Sequence, residues 1–244
     1  MIIIKSDAEI EMMKIPAKLT AEILRDLEGF IKPGISTHDI DQFVEKRMIP
    51  AFKGYGGFPA SACVSVNEVI VHGIPSKSKK LREGDIVSVD AGAIYQGWYS
   101  DMARTYAVGE ISPEAAKLVR VTEESFFEGL KYCVAGNYLS DVSHAIQVHL
   151  ESNGFGVIRD YVGHGLGREM HEQPPVPNYG RPGRGPKLKK GMVLAIEPMV
   201  SAGSYAVKVL PDEWTAVTGD GSLAAHYENT VVITDAEPLV ITLL

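Results

Sequence analysis

Residues Leu81–Asp90, LREGDIVSVD, resemble a second stretch, Leu188–Glu197, LKKGMVLAIE, that follows 107 residues later. Both read leucine, base, charge, glycine, any residue, two aliphatics, a small residue, an aliphatic and an acid. A second match, between Gly34–Ile40 and Gly136–Val142, occurs in the same order at an offset of 102. Matches in the same order at similar offsets indicate an internal duplication, with coincidence among common residue types as the alternative.

Around these stretches the apolar pattern predicts two helices followed by strands, twice over. The expected helices begin near Ser6, Thr37, Pro113 and Leu139 and end near Lys32, Ile49, Tyr132 and Glu151. The expected strands are Cys63–Val66, Val69–His72, Ile86–Ala91, Tyr99–Tyr106, Val157–Val162, Val193–Val200, Tyr205–Val209 and Tyr227–Thr234. No linker separates the halves, so we expect one α+β domain, residues 1–244, with pseudo-twofold symmetry.

Composition excludes several classes of protein. The chain has 244 residues, 45% of them hydrophobic, which is ample for a core. A net charge of −7 argues against a DNA-binding protein. No apolar run is long enough to span a membrane, and the N-terminus lacks a signal-peptide core. With only Cys63 and Cys133, we expect no disulfide framework and a cytoplasmic location.

An acid ends the aliphatic strand of each repeat, Asp90 in the first and Glu197 in the second. A turn centred on residues 95–96 would place Asp90 opposite Asp101, and by symmetry Glu197 would face Glu228. Like charges directly opposite on neighbouring strands repel unless a cation lies between them. One such acid alone would be a surface charge. Four at symmetric positions predict a centre of two divalent cations that activates water.

The histidines and the remaining motifs are less specific. His72 and His164 adjoin glycines in expected loops, and His171 follows Gly167 after three residues; each alone could be an ordinary loop histidine. His38, His144 and His149 are interpreted as exposed or core-edge residues. His226 shares a strand face with Glu228, and exposure is at least as good an interpretation as a place near the site. The chain has no phosphate-binding loop, no His-Glu-x-x-His motif and no Gly-x-Ser-x-Gly motif, which sets those chemistries aside.

Six motifs then occur in order along nearly the whole chain. They are Gly54–Pro59 (GYGGFP), Ser65–Pro75 (SVNEVIVHGIP), Gly84–Asp90 (GDIVSVD), Gly163–Gly167 (GHGLG), Glu197-Pro198 and Glu228–Thr230 (ENT). In these motifs the chain resembles the type I methionine aminopeptidases. Because it begins directly with the catalytic domain and lacks the long insertion of type II enzymes, it is similar to the short bacterial form.

The resemblance implies the pita-bread fold, two αβ halves around a central antiparallel sheet flanked by helices, with a dinuclear metal site between the halves. The implied metal ligands are Asp90, Asp101, His164, Glu197 and Glu228. Glu197 is also implied to move a proton, and His72 and His171 to be catalytic residues that contact substrate without binding metal. The implied methionine pocket is lined by Tyr55, Phe58, Cys63, Met170 and Trp214.

The implied activity is removal of the initiator methionine from nascent polypeptides whose second residue is small. The expected cofactors are two divalent ions drawn from Co, Mn, Fe(II), Zn or Ni. The expected partner is a peptide N-terminus beginning with Met, acted on by a monomer that binds neither DNA nor membrane. Residues 181–190 form a basic stretch, read as a solvated loop or as a transient ribosome contact. The alternative functions are a non-catalytic partner-binding protein and an Xaa-Pro aminopeptidase of the same fold.

Overall fold

The structure, a computed structural model, describes all residues 1–244. Its helices are α1 (Asp7–Phe30), α2 (Thr37–Glu45), α3 (Pro113–Leu130) and α4 (Leu139–Ser152). The strands of the first half are β1 (Cys63–Val66), β2 (Val69–Val71), β3 (Ile86–Ala91), β4 (Ile94–Tyr95), β5 (Trp98–Tyr99) and β6 (Met102–Ala107). Those of the second half are β7 (Gly156–Val157), β8 (Gly163–Gly165), β9 (Glu172–Val176), β10 (Val193–Ile196), β11 (Met199–Ser201), β12 (Val207–Val209), β13 (Ala216–Thr218), β14 (Ala224–His226), β15 (Glu228–Val232) and β16 (Leu239–Val240).

The helices begin where side-chain caps satisfy the free backbone N–H groups of the first turn. Ser6 caps α1 and Ser36 caps α2, each in a capping box with an acid three residues later. Helix α2 ends at Glu45, four residues before the predicted end at Ile49. Residues 46–48 form a turn and a bend instead, and Ile49, the residue before Pro50, is itself disfavoured in the helical region.

The central sheet is antiparallel and runs in the order β1-β3-β6-β15-β10-β8-β9, with β16 also paired to β15. Strands β3 and β6 of the first half correspond to β10 and β15 of the second. The pseudo-twofold axis therefore passes between β6 and β15, where the two halves meet. Because this pairing joins the halves in one sheet, the symmetric architecture expected from the duplicated sequence is confirmed.

The duplication extends to individual hydrogen bonds. Gly34 N–H donates to Leu81 O at 2.8 Å, and Gly136 N–H donates to Leu188 O at 2.9 Å. Both glycines have a positive φ, 95° and 100°, which an L side chain rarely adopts. Each bond ties the turn before a helix to the start of the duplicated strand. The two matched stretches of sequence thus contact each other in the same way in each half.

The helices cover one face of the sheet and leave the other for the site. Val87 and Val89 of β3 pack in one core cluster with residues of α1 and α2. Leu194 and Ile196 of β10 pack in the equivalent cluster with α3 and α4. Because side chains alternate along a strand, the acid that follows each pattern points to the opposite face.

Several strand predictions differ from the structure. The expected strands at 99–106 and 193–200 are each interrupted, at Ser100-Asp101 and at Glu197-Pro198. The expected strand Val157–Val162 is wrong beyond Val157, since Arg159 and Asp160 are exposed in a bend. No helix of the structure is both long and apolar enough to cross a membrane.

Candidate metal centre and substrate cavity

A row of side chains crosses the sheet on the face away from the helices. Asp90 of β3 pairs with Ala103 of β6, and Ala103 pairs with Glu228 of β15. Ile196 pairs with Asn229, so one further step along the same register places Glu197 opposite Glu228. Paired residues point to the same face, and strands lie about 4.8 Å apart. The small Ala103 side chain, fully buried, therefore leaves space between the acids of the two halves.

The register of the first hairpin differs from the prediction by two residues. Asp90 lies opposite Ala103 rather than Asp101, because the tight turn is centred on residues 96–97. A shift of two residues keeps a side chain on the same face. Asp101, buried at the start of β6, therefore still points toward the same space as Asp90.

His164 reaches this space from β8. Its Nε2 atom lies 3.4 Å from Asp101 Oδ2 and 3.7 Å from Glu197 Oε1. A Cβ on Gly163 would lie 2.3 Å from Ala195 O, and one on Gly165 would lie 2.3 Å from Gln173 O. The flanking glycines therefore let β8 approach its neighbours closely enough to bring the imidazole in.

The other ring nitrogen of His164, Nδ1, already forms a hydrogen bond within the protein. Its Nδ1 lies 2.9 Å from Gly165 O, to which it donates. A histidine that donates from one nitrogen presents the lone pair of the other, the arrangement found in metal-binding histidines. His164 Nε2 is therefore the atom available to a cation.

The carboxylates carry the electrostatic signature of a cation site. Burial, and then the neighbouring carboxylates, raise the pKa of Asp90 and of Glu228 well above their usual range. Burial also raises the pKa of Asp101. Burial alone would lower the pKa of His164, but the Asp101 and Glu197 carboxylates outweigh it and raise that pKa. Several carboxylates have been brought together out of water, and their only basic neighbours within ion-pair distance are the imidazoles of His164 and His226.

Three of the buried carboxylate oxygens have no hydrogen-bond partner, namely Asp90 Oδ1, Asp101 Oδ1 and Glu228 Oε1. Unpaired buried charges are expensive, and oxygen-rich donor sets with one imidazole suit Mn, Fe(II), Co or Zn. The ligand atoms of Asp101, His164 and Glu228 lie within 4.8 Å of one another. The residues present thus fit divalent metal ions.

His226 is the residue that sequence reasoning undervalued. It is 1% exposed at the end of β14, so the interpretation as an exposed histidine is wrong. Its Nε2 lies 3.4 Å from Glu197 Oε2 and 3.9 Å from Glu228 Oε2, and forms no hydrogen bond. The available signal was its position two residues before Glu228, since extended backbone places side chains two residues apart on the same face.

A cavity of about 230 Å³ opens beside the carboxylates. All of the side chains predicted to contact substrate line it, namely Tyr55, Phe58, Cys63, His72, Met170, His171 and Trp214. Cys63, Phe58 and Met170 are nearly inaccessible to solvent. Its lining also includes Phe52, Val71, Tyr161, Val162 and Met199, which sequence reasoning did not single out.

His72 faces the cavity in a strained conformation. Its φ is +58°, which is uncommon for a residue other than glycine and is typically kept where function requires it. The ring lies edge-on to Tyr161, with centroids 5.2 Å apart, and 6.3 Å from Trp214. Burial lowers the pKa of His72, so its imidazole is neutral at pH 7.

His171 lies at the other side of the cavity, between Tyr55 and His164. Its Nδ1 is 2.9 Å from Tyr55 Oη, and its ring centroid is 4.3 Å from that of His164. Burial and the neighbouring His164 lower the pKa of His171 to about 4. Burial raises the pKa of Tyr55, so its hydroxyl stays protonated and can donate to Nδ1. In that tautomer Nε2 carries the proton of the neutral histidine.

The basic stretch at 181–190 lies on the surface. Its five bases, Arg181, Arg184, Lys187, Lys189 and Lys190, are all exposed. Lys190 contacts Asp235 at 3.7 Å, and the others form no ion pair. His144 and His149 lie on α4, outside the set of residues that line the cavity.

Comparison with known proteins extends over the full chain. Residues 11–235 match the profile of metallopeptidase family M24. The chain is 62% identical to the methionine aminopeptidase of Clostridium acetobutylicum, over 100% of this chain and 99% of that protein. The crystal structure of methionine aminopeptidase from Thermotoga maritima superposes with a TM-score of 0.97 at 53% identity, covering 99% of each chain. The X-Pro aminopeptidase from Thermotoga maritima has the same fold, with a TM-score of 0.76, at 22% identity over 62% of its length.

Proposed function

Because this chain belongs to metallopeptidase family M24 and has the activity of a methionine aminopeptidase, we propose that it removes the initiator methionine from nascent polypeptides whose second residue is small. The observation that carries the proposal is the meeting of four acids and His164 at the edge of an apolar cavity. The acids supply a cation site, and the cavity supplies a place for one unbranched side chain.

We propose that Asp90, Asp101, His164, Glu197 and Glu228 hold two divalent ions. Two such ions would balance four ionised carboxylates, and the orphaned oxygens of both halves supply the donors. When bound, the ions would polarise the scissile carbonyl and lower the pKa of the attacking water.

Glu197 is the proposed proton carrier. Its side chain is 12% exposed, more than those of Asp101 and Glu228, and it lines the cavity. It takes a proton from the attacking water and passes it to the leaving amide nitrogen, the usual task of a positioned carboxylate.

The two cavity histidines act as neutral hydrogen-bond donors in this proposal. His171 donates from Nε2 to the carbonyl oxygen as negative charge develops there, and His72 contacts the scissile amide. Because both pKa values are lowered, neither ring adds a positive charge beside the cations. Donors placed where charge develops stabilise the transition state without reorganising.

The methionine side chain is proposed to occupy the apolar part of the cavity, against Phe58, Cys63 and Met170. Sulfur and aromatic groups pack favourably against a thioether. Trp214 closes one wall, with its ring 5.2 Å from that of Phe58. A cavity of about 230 Å³ has room for one side chain of this size, so we infer that the enzyme acts from the chain end.

Hydrolysis of Met-Ala-Ser by metal-depleted protein supplied with Mn, Fe(II) or Co tests the proposal. We expect release of free methionine only with metal present. A protein that stays inert with each metal would favour the non-catalytic alternative. Preference for an Xaa-Pro peptide over Met-Ala-Ser would favour the other alternative, whose solved relatives share only the fold.

The domain organisation, the oligomeric state, the location and the ribosome contact are separate proposals. We propose that residues 1–244 form one domain, since β6 and β15 pair across the halves. We propose a cytoplasmic location because the proposed substrate emerges from ribosomes, and we propose separately that the enzyme acts as a monomer. The exposed bases at 181–190 support a ribosome contact, and charge reversal of Arg184 and Lys187 should then reduce pelleting with ribosomes.

A further inference from the structure

A buried ion pair joins the N-terminal segment to the turn that carries His171. Lys5 lies just before α1, and Glu172 begins β9 directly after His171. The Lys5 Nζ atom lies 2.5 Å from Glu172 Oε2, and the two side chains are 2% and 5% exposed. The other lysine-carboxylate pairs of the chain lie at the surface, where at least one side chain of each pair is about half exposed.

Glu172 uses its second oxygen to close the turn. Its Oε1 accepts hydrogen bonds from Arg168 N–H at 2.9 Å and from Glu169 N–H at 3.4 Å. Met170 and His171, both in the cavity wall, lie between these donors and Glu172. The carboxylate therefore fixes the turn at both ends, and Lys5 fixes the carboxylate.

The surrounding backbone is fitted to this pair. A Cβ on Gly167 would lie 2.4 Å from Glu172 Oε1 and 2.6 Å from Lys5 Cε. Lys5 is itself anchored, because its N–H donates to Gly191 O at 2.8 Å, and a Cβ on Gly191 would lie 2.5 Å from Lys5 O. Neither glycine can be replaced without displacing the lysine or the carboxylate.

Stability alone is a weak reason for such a pair. The cost of removing two charges from water offsets much of their attraction, and well-packed apolar side chains at such positions are often as stable. What the pair supplies is a fixed, directional link between two segments far apart in sequence. That link ends one residue from His171.

We propose that Lys5 is a positioning residue for peptide hydrolysis, acting through Glu172 to hold His171 and Met170 against the substrate. The proposal rests on the function proposed above. According to this proposal, the N-terminal segment contributes to catalysis indirectly, although it does not line the cavity.

The test compares three variants of the full-length enzyme loaded with Mn. K5M removes the cation and leaves the buried Glu172 carboxylate without a balancing charge, so it is expected to lower stability as well as rate. K5M/E172Q removes both charges, while the glutamine oxygen still accepts from the turn. K14M is the matched control, since Lys14 also lies 2.5 Å from its partner Glu11 but is exposed.

The measurements are kcat and KM on Met-Ala-Ser, bound metal, the urea midpoint, and the ring ¹H–¹⁵N signals of His171 in the metal-free protein. A displacement of about 1 Å of a catalytic group can cost about 100-fold in rate. We expect kcat of K5M/E172Q to fall about 10- to 100-fold, with KM changed less, metal content and urea midpoint near wild type, and a shifted His171 signal. K14M should match wild type throughout.

Recovery of wild-type kcat by K5M/E172Q together with its urea midpoint would overturn the proposal, since the pair would then be structural only. So would a K5M variant that keeps kcat within twofold of wild type. Failure of the wild-type enzyme itself on Met-Ala-Ser would instead contradict the proposed function.

Discussion

Replacement of His171 by alanine probes the chemistry of the cavity most sharply. The side chain offers one neutral N–H donor, because its lowered pKa, about 4, leaves the ring neutral at pH 7. Removing one donor aimed at developing charge typically costs about 3–4 kcal/mol in the transition state. We therefore expect kcat to fall by about 100- to 1,000-fold in H171A.

The assay is steady-state hydrolysis of Met-Ala-Ser, together with metal analysis of the same protein. His171 packs against the ring of His164 but is not one of the proposed metal ligands. The amount of bound metal should therefore be unchanged in H171A. His164→Ala is the comparison variant, because it should lose metal and activity together. A loss of metal from H171A, or a kcat within threefold of wild type, would refute the role given to His171.

Four further predictions follow from the same geometry. Asp101→Asn should lower metal content, because it removes charge from a buried oxygen that has no other partner, and full binding of two metals by that variant would contradict the ligand set. Tyr55→Phe should lower kcat about tenfold and shift the His171 ring ¹⁵N signals, since it removes the hydroxyl that pairs with Nδ1. Tyr132→Phe, at an exposed residue outside the cavity, should leave both unchanged. Gly163→Ala should lower the urea midpoint strongly, because its Cβ would lie 2.3 Å from a backbone oxygen, and an unchanged midpoint would show that β8 can move. In the metal-free protein, NMR titration of His171 should show a midpoint near 4. Because the folded-state pKa of His171 lies below its unfolded-state pKa, His171 should reduce the free energy of unfolding as pH falls from about 6.5 to about 4. H171A should remove that part of the pH dependence of stability.

The duplicated stretch explains why much of the architecture follows from sequence. The strand prediction Ile86–Ala91 agrees with β3 at both ends, and the predicted starts of the helices at Pro113 and Leu139 are confirmed. These segments combine strong apolar periodicity with capping residues or proline, so local preference and tertiary packing favour the same structure.

The register of the first hairpin was harder to predict from the sequence. The prediction centred the turn on residues 95–96, whereas Gln96 and Gly97, both with positive φ, form its centre. A tight turn with two positive φ values favours glycine at one of them. Gly97 was therefore a local signal for the turn, but the prediction was based only on placing Asp90 opposite Asp101. The shift was even-numbered, so the faces of Asp90 and Asp101 were still predicted correctly.

Other parts of the site depend on contacts that sequence does not encode locally. Strand β8 consists of Gly-His-Gly and β9 contains two prolines, so neither has a strand-like composition. The burial of His226 depends on its packing beside Glu197 from the neighbouring strand, which only the tertiary structure defines. The same holds for Lys5, whose partner lies 167 residues away.

The most direct test of the central claim is a metal titration of the metal-free enzyme under anaerobic conditions. Bound metal and hydrolysis of Met-Ala-Ser are measured on the same samples as Mn, Fe(II) or Co is added. The site described here predicts no hydrolysis without metal and activity that rises with occupancy up to two ions per chain. Hydrolysis by metal-free protein, or inactivity with the site fully occupied, would contradict it.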